Sequence, residues 1–164
     1  MVDNRPLEAR PDVLTYTTDP LPSTLEAIGP VRVELWVRAS VPHFDLFARV
    51  CDVDEDGASR NVTDALATAA PDCFEPAGDG VWRARFELWP IAHRFARGHR
   101  IRLLVASGAH PRYARNPGTG EDPVQATELR AVDVEVLHDA SHPSALVLPA
   151  GVADPRRVRA PGHG

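Results

Sequence analysis

The sequence predicts an all-β fold, a two-sheet jelly-roll sandwich with little helix. Three observations carry this reading. Apolar and polar residues alternate with a period of two in several separate segments. Sixteen prolines and 11 glycines punctuate the 164 residues, many for a helical bundle and well suited to frequent turns. The pattern never switches to the strand–helix–strand alternation of a parallel sheet. A chain of this length forms one domain, and burying roughly 70% of its unfolded surface needs no covalent staples.

Taken in order, residues 1–9 are polar and are expected to be a linker or a truncated end. Residues 10–149 carry the domain. Val13–Thr17 is a short strand, and Asp19-Pro20 with Pro22 turns the chain. Val31, Val33, Leu35 and Val37 share one face of the next strand, with Arg32, Glu34, Trp36 and Arg38 on the other. Pro42 and His43 start a corner, and Phe44–Val53 follows as a strand. Asp54–Gly57 then turns a hairpin into a short strand over Arg60–Thr63. Ala65–Ala70 reads as a helical turn or a loop. Val81–Leu88 is a strand, and Trp89-Pro90-Ile91 leads into a short helical turn ending near Gly98. Ile101, Leu103 and Val105 alternate along the most strand-like run, which feeds a long polar loop from Ser107 onwards. Leu129–His138 and Ala145–Leu148 complete the strands. The stretch 150–164 is rich in Pro, Arg and Gly and is expected to be a flexible tail.

Charge narrows the function classes. The net charge of −5 argues against a nucleic-acid binder. All 18 basic residues are arginines. Between Gly80 and Arg115 eight of them meet one acid, Glu87, so that segment carries +7 and the rest −12. Two readings stay open: pairing with acidic strands such as Asp133 and Glu135, or a basic face that docks an acidic partner. No apolar run approaches the roughly 20 residues that a membrane helix needs. The first residues hold no leader-like apolar segment, and two cysteines make no disulfide framework. The expectation is a cytoplasmic, reducing setting, with no membrane partner.

Candidate chemistry is sparse. Asp52-Val53-Asp54-Glu55-Asp56-Gly57 matches the first half of a calcium loop, but Thr63 stands where a bidentate Glu is needed, so it reads as an acidic hairpin turn. His138 and His142 are four apart, but Pro143 and the preceding strand argue against a metal-binding helix face, and they read as turn residues. No serine lies in the Gly-x-Ser-x-Gly pattern of a strand–helix elbow. Ser107, in VASGA, comes nearest and lacks the first glycine. Cys51 reads as a small buried hydrophobe. No catalytic residue, no metal site and no cofactor is expected within this chain.

Five segments, in order, carry a resemblance: RPDVLTYTTDPL (10–21), IGPVRVELWV (28–37), FDLFARVCDVDEDGASRNVTD (44–64), FELWPIAHRFARGHRIRLLVASGAHPRYARNPGTG (86–120) and HDASHPSALVLP (138–149). Together they resemble the C-terminal domain of the CocE/NonD hydrolases, the cocaine esterase and X-Pro dipeptidyl-peptidase group. The resemblance implies a galactose-binding-like jelly roll that follows an α/β-hydrolase domain. It also implies that the Ser, Asp and His triad lies on that other domain, so that this chain alone is inactive. The jelly roll then buttresses the α/β-hydrolase domain and helps wall its substrate pocket. The corner at Phe44, Asp45 and Phe47 is the candidate wall by this analogy; the plainer alternative puts the two phenylalanines in the core. Residues 65–80 depart from the family pattern, and Cys73 has no evident role there. Met1 followed at once by this domain points to a split or truncated reading frame, a separate subunit or an excised piece. An orphaned domain is expected to self-associate. The alternative is a stand-alone carbohydrate- or ligand-binding sandwich, with Trp36 and Tyr113 as exposed aromatics and Trp82 and Trp89 in the core.

Overall fold

The computed structural model describes residues 3–152. One short helix, α1 (Arg5–Glu8), precedes ten strands: β1 (Val13–Thr17), β2 (Leu25–Ala39), β3 (Asp45–Val53), β4 (Ser59–Thr68), β5 (Phe74–Gly78), β6 (Val81–Phe95), β7 (Arg100–Ala106), β8 (Val134–Leu137), β9 (Ala145–Val147) and β10 (Ala150–Val152). They form two antiparallel sheets. One is four-stranded, in the order β1-β7-β3-β4. The other is built on the long β2–β6 pair, with β5 beyond β6, and with β8, β9 and β10 set end to end along the free edge of β2. The chain crosses between sheets after β1, β2, β4, β6 and β7, the connectivity of a sandwich rather than of one rolled meander.

The core lies where the alternation puts it. Val31, Val33, Leu35 and Val37 of β2 face Leu46, Ala48 and Val50 of β3 and Ile101, Leu103 and Val105 of β7. Phe44 and Phe74 meet edge to face, with centroids 5.4 Å apart, and close one end. Thr63 on β4 donates its hydroxyl to the Trp89 carbonyl at 2.8 Å and ties the sheets together. Asp52 on β3 bridges the sheets as well, within 2.9 Å of His93 Nε2 on β6 and 2.8 Å of His99 Nδ1.

Four segments differ from the sequence reading. Residues 65–68 are strand, because Ala65 and Ala67 are small enough to pack inward opposite Ala48 and Leu46. Strand β6 runs on to Phe95 in place of a helical turn; the pairing slips between Gly29 and Val31, and this bulge absorbs Pro90. Trp89, in that bulge, is 69% exposed and not in the core. The strand expected over 129–138 is limited to Val134–Leu137, where β2 offers a partner. Strand β5 was not expected, and Phe74 alone anchors it in the core. The stretch 1–9 includes α1, and Asn4 before it is buried, its amide bonded to the Ser59 carbonyl at 2.8 Å. Of the tail, Ala150–Val152 pairs with β2, and the remainder lies outside the described residues.

Candidate functional site

The outer face of the four-stranded sheet is not left bare. Alternation along β3 turns Phe47, Arg49 and Cys51 outward, opposite the core side, and β4 adds Asp64 and β7 Leu104. Helix α1 covers one half of this face. Its Glu8 accepts from Ser59 Oγ and Arg102 Nη1, each at 2.5 Å. Asn4 Nδ2 sits 3.6 Å from Cys51 Sγ. Burial pushes the Cys51 thiol up to about 11, so it stays protonated and inert at neutral pH. The loop after β7 covers the other half. Between helix and loop lies a cleft of about 700 Å³, bordered by Leu7, Phe44, Asp45, Phe47, Arg49 and Arg112.

The three corner residues are placed differently from one another. Phe44 is buried in the core against Phe74. Asp45 is buried and accepts from Asn116 Nδ2 at 2.8 Å, while Asn116 Oδ1 accepts from the Gly118 amide at 2.9 Å. The corner therefore holds the loop. Gly118 has φ 74°, and a Cβ there would meet the Arg130 carbonyl at 2.5 Å, so only glycine lets the two loop segments approach. Phe47 lies on the outer face beneath Tyr113, with centroids 6.2 Å apart, and beside the Arg49 guanidinium at 5.1 Å.

At the centre of this face a single carboxylate gathers the charge. Asp64 is 2% exposed, and its Oδ2 accepts from Arg49 Nη2 at 3.0 Å, Arg112 Nη1 at 2.7 Å and Asn61 Nδ2 at 3.3 Å. Arg49 Nη1 turns to Asn4 Oδ1 at 2.9 Å. Helix, sheet and loop are thus joined through two guanidinium groups. Burying Asp64 and most of Arg49 is tolerable only because each finds several partners, while the Arg112 side chain stays half exposed. Asp64 Oδ1 is buried without one among the described residues. Neither Asn4 nor Asp64 was singled out from the sequence, since their contacts join residues 45 and 48 positions apart.

The other sequence candidates are used locally. Asp54 accepts from the Asp56 and Ala58 amides and from Arg60, so the acidic turn spends its carboxylate on itself. Asp139 accepts from the Ser141 and His142 amides and from the His142 ring, which ties down the turn before β9. No serine or cysteine side chain among the described residues hydrogen-bonds a histidine. Five of the eight arginines in the basic segment pair with acids: Arg83 with Glu34, Arg85 with Glu75, Arg94 with Glu26, Arg102 with Glu8 and Arg112 with Asp64. Glu135 pairs with Arg38 instead, outside that segment. Trp36 is half-buried: Arg83 lies over its ring at 5.4 Å and His142 meets it edge to face at 5.4 Å, so its ring is already engaged. None of the described helices is long and apolar enough to cross a membrane.

Comparison with known proteins gives this cleft a context. Residues 3–147 match the family described as the X-Pro dipeptidyl-peptidase C-terminal non-catalytic domain. The cocaine esterase of Rhodococcus sp. strain MB1 Bresler is 30% identical over 155 residues, which cover 90% of this chain and 27% of that protein. Among solved structures, an α-amino acid ester hydrolase superposes with a TM-score of 0.81 at 27% identity, covering 91% of this chain and 27% of the other. An aminopeptidase from a marine sediment Thaumarchaeota archaeon gives 0.77 at 26% identity, with 90% and 27% covered. The chain therefore spans about a quarter of the length of these relatives, and it belongs to the X-Pro dipeptidyl-peptidase C-terminal non-catalytic domain family, the C-terminal sandwich of the CocE/NonD hydrolases.

Proposed function

We propose that this domain serves a serine hydrolase of the esterase or X-Pro dipeptidyl-peptidase type by buttressing an α/β-hydrolase domain and completing its substrate pocket. The observation that carries the reading is the match of residues 3–147 to a non-catalytic domain whose relatives are hydrolases nearly four times as long. Chemistry in such an assembly is acyl transfer from an ester or an X-Pro amide to a serine, then to water, performed by groups on the partner domain. This domain contributes shape and charge.

The cleft on the outer face of the four-stranded sheet is the surface we assign to that contact. Leu7, 45% exposed, offers apolar area, Arg112 and Arg115 offer positive charge beside it, and buried Phe47 supports Tyr113 and Arg49 from below. The Asp64 network fixes Arg112 on the face, so the loop presents its charge in one geometry. Phe44 and Asp45 act behind this surface, one as core and one as the anchor of Asn116. Without a partner the domain exposes Ile28, Trp89 and Leu14, and self-association through such apolar area is expected at high concentration.

Complementation tests the reading. The α/β-hydrolase portion of an esterase of this family, stripped of its own C-terminal sandwich, is co-expressed with this chain, and ester turnover is measured. The expected result is turnover well above that of the stripped hydrolase alone, lowered again by Leu7→Glu and by Arg112→Glu. Equal turnover with and without the chain contradicts the proposal.

A further inference from the structure

A second cavity lies between the sheets, away from the cleft. Strand β1 is the edge of its sheet, and Leu14 and Tyr16 pair with Val105 and Leu103, which places them on the inward face. Opposite them the other sheet offers Leu35 of β2 and the short edge strands β8 and β9. The sandwich closes incompletely there, and Leu14 stays 42% exposed despite facing inward. The opening is a pocket of about 280 Å³ whose apolar lining includes Leu35, Ile101, Leu103, Val136 and Leu146.

The polar groups at this pocket divide into engaged and free. Thr18 Oγ1 donates to the Asp19 carbonyl and accepts from the Ile101 amide. Ser144 Oγ donates to the Leu137 carbonyl and accepts from the Trp36 amide. Tyr16 and His138 meet edge to face, with centroids 5.8 Å apart, and neither side chain's polar atoms have a hydrogen-bond partner among the described residues. Partial burial raises the Tyr16 phenol above its ordinary value, so at neutral pH it is a donor. No arginine, aspartate or glutamate lines the pocket.

We propose that this pocket binds a small neutral molecule of the phenol class, its ring among Leu35, Leu103 and Val136 and its single polar group on the Tyr16 hydroxyl and His138. Size sets the body of the ligand: an apolar cavity of about 150 Å³ holds one benzene ring, so this one has room for a substituted ring. Charge sets its neutrality, since an anion entering here would lose its hydration with no cation to replace it. The two free polar groups exclude a sugar, whose several hydroxyls would be left unpaired.

The test is titration of the full 164-residue chain with p-cresol, followed by amide NMR, beside p-toluate as the charged analogue. Saturable shifts at β1, β7, β8 and β9 are expected, with p-toluate bound more weakly at pH 7. Tyr16→Phe keeps the ring and removes the hydroxyl, and weakens p-cresol by roughly 3- to 10-fold, the range one hydrogen bond gives. Val136→Phe fills the pocket and abolishes the shifts. No saturable shifts in the native chain, shifts that survive Val136→Phe, or equal affinity in Tyr16→Phe each overturns the proposal. Tyr16→Phe alters no packing, so the test stands even where Val136→Phe disturbs the fold.

Discussion

The two faces of the four-stranded sheet are buried by different means. The inner face carries Leu46, Ala48, Val50, Ile101, Leu103 and Val105, which the other sheet covers except beside β1. The outer face carries Phe47, Arg49, Cys51, Leu104 and Asp64, which a four-residue helix and an irregular loop cover. Apolar area holds the first. Ion pairs and hydrogen bonds that span dozens of residues hold the second. The lesson is that burial alone does not mark a core: the outer face is as dry at Asp64 as the inner face is at Val105, yet at its centre it holds an ion cluster where the inner face holds apolar side chains.

That contrast is open to mutation. The largest effect is expected inside. Phe44→Ala removes the ring that meets Phe74 and costs about 4 kcal/mol in urea unfolding, in the range of buried aromatic truncations. Asp64→Asn is next, at about 3 kcal/mol, because it leaves the largely buried Arg49 facing a neutral amide and frees the half-exposed Arg112. The triple change Arg49→Met, Asp64→Leu, Arg112→Leu should recover much of that loss, since an apolar cluster often replaces buried ions at little cost. Recovery of stability with loss of partner activation would separate what the outer face does from what holds it together. A triple variant no more stable than Asp64→Asn would erase the distinction between the faces.

Smaller effects read the helix cover. Asn4→Ala removes the side-chain bonds to Ser59 and Arg49 and costs about 2 kcal/mol, roughly 1 for each hydrogen bond. It also uncovers Cys51, which should then react with a thiol reagent at pH 8. In the native chain the same reagent should label Cys73, which is partly exposed, and leave buried Cys51 unlabelled. The pH dependence has a definite sign. The Cys51 thiol is raised from 9.0 to about 11 in the folded chain. Between those values the unfolded chain loses that proton and the folded chain keeps it, so stability falls as pH rises from 9 to 11. Cys51→Ala should flatten this fall. Smallest of all, Arg32→Ala breaks an exposed pair with Glu87 and should change stability by less than about 0.5 kcal/mol.

The inner face was legible in the sequence and most of the outer face was not. Period-two alternation locates β2, β3 and β7 and their buried sides, because one residue in two must meet the core. It fails at β6, where Trp89-Pro90 breaks the pattern and a bulge at those two residues, opposite Pro30, lets the pairing resume. It fails at β4 too, where small alanines have weak strand preference and the neighbouring β3 decides. The corner at Phe44, Asp45 and Phe47 was readable as a place, but not the separate roles its three residues take. Asp64 gave no local signal at all. Its meaning comes from Arg49 and Arg112, which only the folded sheet brings to it. Of the two readings of the arginine-rich segment, pairing describes five of its eight residues, and Arg112 does both: it pairs with Asp64 and borders the cleft.

The central claim is that this chain shapes a hydrolase without performing its chemistry. The direct measurement is turnover by the purified 164-residue chain, alone, of a p-nitrophenyl ester and of an X-Pro p-nitroanilide, with and without a serine-directed fluorophosphonate. The account predicts no turnover above buffer and no covalent labelling by the fluorophosphonate. Turnover that the fluorophosphonate abolishes, with one serine labelled, would contradict it.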